Sequence, residues 1–174
     1  IIDSNNNVVD TPLPKFDFSK GAMVLSFDLT MNNLTSPFYL QLRSSADPNT
    51  DMLGIVRVQN SGRICGFTKK ADLDYSTKST DLNFTASSKV ATAGTKYTVQ
   101  TALVYDNTTD VLTVKQYLNG EQMTLQNTST PIEYQFKAEN MDTLLSGNMF
   151  MRFAVPTKGG SIRIDNITLR SEGD

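Results

Sequence analysis

The sequence predicts an all-β protein of roughly ten or more short antiparallel strands, folded as a sandwich or a barrel. Three observations carry that expectation. Apolar residues recur at every second position through most of the chain. Asn, Asp, Ser and Gly punctuate the pattern at short intervals, and only one stretch, 138–146, reads as a short helix.

The strongest strand is MVLSFDLTM, where Met23, Leu25, Phe27, Leu29 and Met31 share one face and Ser26, Asp28 and Thr30 take the other. FYLQLR repeats the pattern, with Phe38, Leu40 and Leu42 inward and Tyr39, Gln41 and Arg43 outward. The stretch 53–58, the turn Gln59-Asn60-Ser61-Gly62 and RICGF form a hairpin. Between Lys69 and Lys89 the periodicity fades, which predicts a long surface loop. Tyr97 to Tyr105 and Val111 to Leu118 are two more strands, and the parity of Tyr97 and Tyr105 assigns both rings to the core. Asn119-Gly120, the favoured dipeptide of a type I′ hairpin turn, leads into 121–125. Ile132, Tyr134 and Phe136 alternate again, then Met149, Met151, Phe153 and Val155, and SIRIDNITLR closes the pattern.

That last stretch contains an anomaly. Ile162 and Ile164 have one parity, Ile167 and Leu169 the other. Either a bulge inserts an extra residue at Asp165-Asn166, or one strand ends at Ile164 and another begins. Asp and Asn suit a bulge, because their side chains bond locally to the main chain. The bulge is the favoured reading.

The chain has 174 residues, enough for one domain, and shows no internal repeat or linker, so 1–174 is read as a single β-sandwich domain. It opens without an initiator Met or signal peptide, as expected of a module excised from a larger multimodular protein. Cys65 is the sole cysteine, so no internal disulfide forms, and its apolar setting predicts a buried thiol. Net charge is −2, from 16 basic and 18 acidic residues dispersed along the chain. Nothing concentrates positive charge as a nucleic-acid binder does, and no apolar run approaches the length of about 20 residues that inserts into a membrane. Five Asn-x-Ser/Thr sequons, at Asn33, Asn83, Asn107, Asn127 and Asn166, are surface-acceptor hints in an Asn- and Thr-rich chain.

Taken together, GAMVLSFDLTM, FYLQLRSS, GIVRVQNSGRICGF, KYTVQTALVYDNTTDVLTVKQYLNGEQ and GGSIRIDNITLR resemble concanavalin A-like or laminin G-like jelly rolls. Such modules are attached to secreted bacterial polysaccharide-degrading proteins of the pectate-lyase type. The resemblance, over about residues 20 to 170, implies an antiparallel two-sheet jelly-roll β-sandwich and an extracellular or cell-surface location. It also implies binding of a polysaccharide or oligosaccharide, with other modules of the same chain as neighbours. The sequence departs from that family in having no Trp, the usual sugar-stacking platform.

Sugars are held by aromatic faces stacked on pyranose rings and by polar groups that bond hydroxyls. Tyr39, Gln41 and Arg43 lie on the polar face of one strand, Lys115 and Tyr117 on that of another, and Arg152 on a third. These are the candidate carbohydrate-binding residues, and their cations suit an acidic glycan. Tyr75, in the predicted loop, would line a rim. Asp47, Asn49 and Asp51 alternate as oxygen ligands of a calcium loop do, but Met52 and Val58 break the EF-hand pattern. Asp165 is a second calcium candidate, from the resemblance. No cofactor is required; a structural calcium ion is the one the residues would accept.

Jelly-roll glycosidases carry closely spaced catalytic carboxylates, about 5 Å apart in retaining enzymes. The four Glu here, Glu121, Glu133, Glu139 and Glu172, show no such pairing. With no His in the chain, Ser-His and Cys-His catalysis and His-ligated zinc are excluded. The expectation is a non-catalytic carbohydrate-binding module. The alternative is a spacer or adhesion module without glycan affinity, and a small jelly-roll lyase or hydrolase trails both.

Overall fold

Each long strand presents one apolar face that another layer must cover, and here two antiparallel sheets cover each other. The computed structural model describes residues 1–3, 7–14, 17–18, 21–44, 47–69, 82–137 and 149–171, with backbone alone at 44, 47–54, 69, 82–84, 136 and 137. Among them the strands are β1 (Ile2–Asp3), β2 (Val8–Pro12), β3 (Met23–Met31), β4 (Phe38–Ser44), β5 (Asp47–Val58), β6 (Arg63–Lys69), β7 (Leu82–Val90), β8 (Lys96–Asp106), β9 (Val111–Leu118), β10 (Glu121–Gln122), β11 (Glu133–Lys137), β12 (Met149–Ala154) and β13 (Ser161–Ser171).

The first sheet runs β1-β13-β3-β8-β9-β10, with β11 also on β9. The second runs β2-β12-β4-β5-β6-β7. The architecture is therefore a two-sheet sandwich and not a barrel. Leu25, Phe27, Leu29, Val99, Leu103, Val114 and Leu118 line the inner face of the first sheet; Phe38, Leu40, Leu42, Met151 and Phe153 line that of the second. Phe27 meets Phe153 edge-on at 5.5 Å across the interface, and Phe38 stacks on Phe153 at 6.3 Å. Burying each such ring stabilises the fold by about 1.5–3 kcal/mol, so this trio anchors the two sheets.

The sandwich is bridged at one side by the segment after the Asn119-Gly120 turn. Both turn residues have positive φ, 51° and 85°, as a type I′ turn requires. The segment that the alternation assigns to one strand, 121–125, instead pairs with β9 only as the two-residue β10. Met123 then plunges into the core, and Thr124 and Gln126 bond the backbone of Ser88 and Ala86 in β7.

Two further departures from the sequence reading have physical causes. The predicted loop 69–89 contains β7, which pairs with β6 from Leu82↔Lys69 to Val90↔Arg63. Its register shifts between Arg63 and Cys65, so no single alternation runs through it, and Ser87 turns inward to donate a 2.5 Å hydrogen bond to the Ile64 carbonyl. The rest of that loop, 70–81 with Tyr75, and the predicted helix at 138–146 lie outside the described residues. At the N-terminus β1 and β2 form edge strands too short or too exposed to show a pattern.

The parity anomaly is a bulge. Asp165 pairs with Asp28 and Thr168 with Ser26, so Asn166 and Ile167 together oppose Phe27. Asn166 takes the left-handed conformation, φ 55°, and its amide donates to Asp28 Oδ2 at 2.8 Å. That bond, followed by one from Thr98, holds the Asp28 carboxyl below its usual range. Asn166 therefore builds the bulge, while Asp165 accepts a 2.6 Å bond from Arg163 at the surface.

Two substitutions test this framework. Asn166→Ala, forced into the left-handed region without the amide, should lower unfolding free energy by about 1–2 kcal/mol, with Asn166→Gly losing less. Gly66 faces the other sheet, where an added Cβ would lie 2.5 Å from Ile132 Cγ2 and 3.4 Å from Gln116 Cγ. Gly66→Ala should cost about 1–3 kcal/mol through overpacking, measured by urea denaturation.

Candidate functional site

Strand parity sends the polar side chains of each sheet to its outer face, so the sandwich offers two separate surfaces. Tyr39, Gln41, Arg43 and Arg152 lie on the outer face of the second sheet. Lys115 and Tyr117 lie on that of the first, with the whole core between. The six residues proposed from sequence as one candidate set are thus not one site. Parity shows which side chains share a strand face, but not which sheet the strand joins.

On the second sheet the register pairs Gln41 with Arg152, Arg152 with Asp10, and Tyr39 with Arg57. The side chains then bond one another. Arg152 grips Asp10 with two bonds, Nε to Oδ1 at 2.8 Å and Nη2 to Oδ2 at 2.9 Å. Arg43 donates to Gln41 Oε1 from Nε at 3.2 Å and Nη2 at 2.9 Å. The Arg57 guanidinium sits 4.6 Å above the Tyr39 ring, and that of Arg152 lies 5.6 Å from Phe150. This is a network whose fork-like donors are turned inward on one another. Asp10, absent from the sequence candidates, takes both Arg152 bonds; the hydrogen bond from Arg152 holds its carboxyl below the usual range.

The first sheet is different. Two neighbouring cross-strand rows cross its outer face: Arg170, Val24, Ala102 and Lys115 in one, and Thr168, Ser26, Gln100 and Tyr117 in the next. Val24, Gln100, Ala102, Tyr117, Gly120 and Arg170 line a shallow pocket of about 210 Å³. Val24, Ala102 and Gly120 keep its floor low between taller walls. In the described structure no hydrogen bond or ion pair engages the side chains of Gln100, Lys115, Tyr117 or Arg170, so their bonding capacity remains for a ligand.

Sequence reasoning found Lys115 and Tyr117 but missed Gln100 and Arg170. Gln100 was legible as an outward residue of its strand. Arg170 was not, because an unbroken strand would turn it inward with Ile162 and Ile164; the Asn166 bulge sends it out.

The calcium candidates fall in β5 and at the β13 bulge. The backbone of Asp47, Asn49 and Asp51 begins β5 and so is strand, not loop; their side chains lie outside the described residues. Asp165 faces Asp28 across the bulge, and among the described residues no group of three or more His, Cys, Asp or Glu could hold a metal ion. Cys65 is fully buried, as expected, and burial pushes its thiol pKa up. The Tyr97 and Tyr105 rings pack against the core while their hydroxyls reach outward, Tyr97 accepting from Thr92 N–H and Tyr105 donating to Asp110.

Two stacked antiparallel sheets of this topology form the concanavalin A-like jelly-roll β-sandwich. Among solved structures with a similar fold, the endo-1,3-beta-glucanase of Streptomyces sioyaensis is 12% identical with a TM-score of 0.54, over 97% of this chain and 72% of that one. An alginate lyase of Pseudomonas aeruginosa is 9% identical with a TM-score of 0.53, over 91% of this chain and 68% of that one. Lactose- and MES-liganded congerin II is 14% identical with a TM-score of 0.50, over 94% of this chain and 100% of that one. The fold is thus shared by a sugar-liganded protein and by polysaccharide-cleaving enzymes. No protein-family model and no curated protein sequence matches the chain.

The Asp10–Arg152 pair gives a titration test. Its folded-state pKa is depressed, so the pair's contribution is present above the unfolded value and is lost as pH falls through the folded one. Both partners are partly exposed, so the contribution is at most about 1 kcal/mol. Carboxyl NMR should place the Asp10 midpoint below the usual Asp range, and Arg152→Ala should raise it.

Proposed function

We propose that this chain is a non-catalytic carbohydrate-binding module that holds an acidic oligosaccharide or polysaccharide on the outer face of the first sheet. It serves as an extracellular accessory module of a larger polysaccharide-processing or surface protein. One observation carries the reading: Gln100, Lys115, Tyr117 and Arg170 border a low floor and spend no bonds on one another. The tyrosine supplies a ring for a pyranose face, the amide both donates to and accepts from hydroxyls, and the two cations suit carboxylates. A ligand there need not break an existing network before binding. On the second sheet it would have to compete with bonds already made.

The non-catalytic reading is supported by how the described Glu side chains are used. Glu121 is tied to Lys89 at 3.1 Å, and Glu133 accepts from Gln122 at 2.9 Å. The satisfied Arg-Asp-Gln network of the second sheet suits a structural role, which is also what the spacer reading would assign to the whole module.

Affinity electrophoresis separates the two readings. Polygalacturonate or alginate in the gel should retard the protein, a neutral β-glucan should retard it less, and added salt should weaken the retardation. Tyr117→Ala should weaken binding by about 1 kcal/mol or more through lost stacking, whereas Tyr39→Ala should leave it unchanged. Equal mobility in every gel would establish the spacer reading instead.

A further inference from the structure

The groove on the first sheet is not symmetric along its length. Its charged row continues past Lys115 to Glu133 in β11, directly opposite Lys115. The neighbouring row continues past Tyr117 to Gln122 in β10, and the Gln122 amide holds Glu133 Oε2 at 2.9 Å. Both rows thus end in one hydrogen-bonded pair that presents a carboxylate. At the other end, beyond Arg170, β1 pairs with β13 only at Ser161 and Ile162, so in the described structure no strand flanks Arg170 on that side.

Strands are about 4.8 Å apart, so Arg170 and Lys115 stand about 14 Å from each other at the backbone, with Glu133 one step further. A polyanion lying across the strands meets a cation at each end of this span and then a carboxylate. Its next acidic ring would face Glu133 at close range. A terminal ring meets no such conflict, because Glu133 can accept bonds from the extra hydroxyl that a chain end carries.

We infer that the groove engages a terminus of an acidic glycan and excludes its interior. The chain enters from the β13 side, places carboxylates at Arg170 and Lys115, and ends against Glu133. This rests on the proposed reading of the groove as a saccharide site.

The test measures stoichiometry by isothermal titration and analytical ultracentrifugation, using long polygalacturonate and a size-defined short oligogalacturonate. At saturation, the number of modules bound per molecule of glycan should be the same for both lengths. Glu133→Gln, which removes the charge but keeps the acceptor for Gln122, should raise that number on the long polymer. It should also strengthen binding to the polymer by about 4-fold or more, about 4-fold being the effect of a like charge at one strand spacing under full water screening. A wild-type stoichiometry that grows with polymer length, or a Glu133→Gln variant unchanged on the long polymer, would overturn end recognition while leaving saccharide binding in place. Absence of binding to both ligands would overturn the saccharide reading, and end recognition with it.

Discussion

A single residue in the left-handed region decides what the outer face of the first sheet displays. β13 must bury Ile162 and Ile164 early and Leu169 later, and those positions have opposite parity. A regular strand, with its period of two, cannot satisfy both. Asn166 resolves the conflict by taking φ 55° and anchoring its amide to Asp28. The same slip that returns Leu169 to the core turns Arg170 outward. Core packing and the charge at one end of the groove are two consequences of one local conformation.

The two outer faces show how similar residue types differ in use. Both carry Tyr, Gln and Arg, the side chains expected of a saccharide surface. On the second sheet Asp10 lies opposite Arg152 and Gln41 lies two residues before Arg43, so the guanidinium donors find acceptors inside the protein. On the first sheet Arg170 and Lys115 are separated by Val24 and Ala102, which have nothing to bond, and Glu133, opposite Lys115, accepts its bond from Gln122. Composition suggests a polar surface in both cases. The cross-strand neighbour determines whether its bonds are spent.

This explains how much could be read from the chain before its folding was known. Strand existence was legible wherever one face is buried and the other wet, as in β3, β4, β8 and β9, because the period of two is then written in full. It was not legible in β7, where a register shift interrupts the period, nor in β1 and β2, which are short or largely exposed edge strands. The bulge was visible because it displaces apolar residues, whose parity can be counted. The groove was only half visible. Tyr117 and Lys115 were placed outward correctly, but grouping them with Tyr39 and Arg152 required knowing the sheet order, a long-range property that no local pattern records.

The pairing of β8 with β9 shows how the interior constrains the surface. Thr101 lies opposite Gln116 on the inner face, and Gln100 lies opposite Tyr117 on the outer. The inner pair is fully buried and joined by a 3.0 Å bond from Thr101 Oγ1 to Gln116 Oε1, in a layer otherwise lined mainly by apolar side chains. Sliding β9 by one residue would turn Gln116 out and carry Lys115 and Tyr117 into the core; sliding it by two would part the buried Gln116 from Thr101 and break their bond. An apolar pair at these positions would tolerate the two-residue slip far better. The buried polar pair thus favours the one register that sets Gln100 beside Tyr117. At one end of the groove a bulge fixes the position of Arg170, and at the other a core hydrogen bond favours the register of Tyr117. The floor between them consists of small residues on strands β3 and β8, whose opposite faces carry Leu25, Phe27, Val99 and Leu103 in the core.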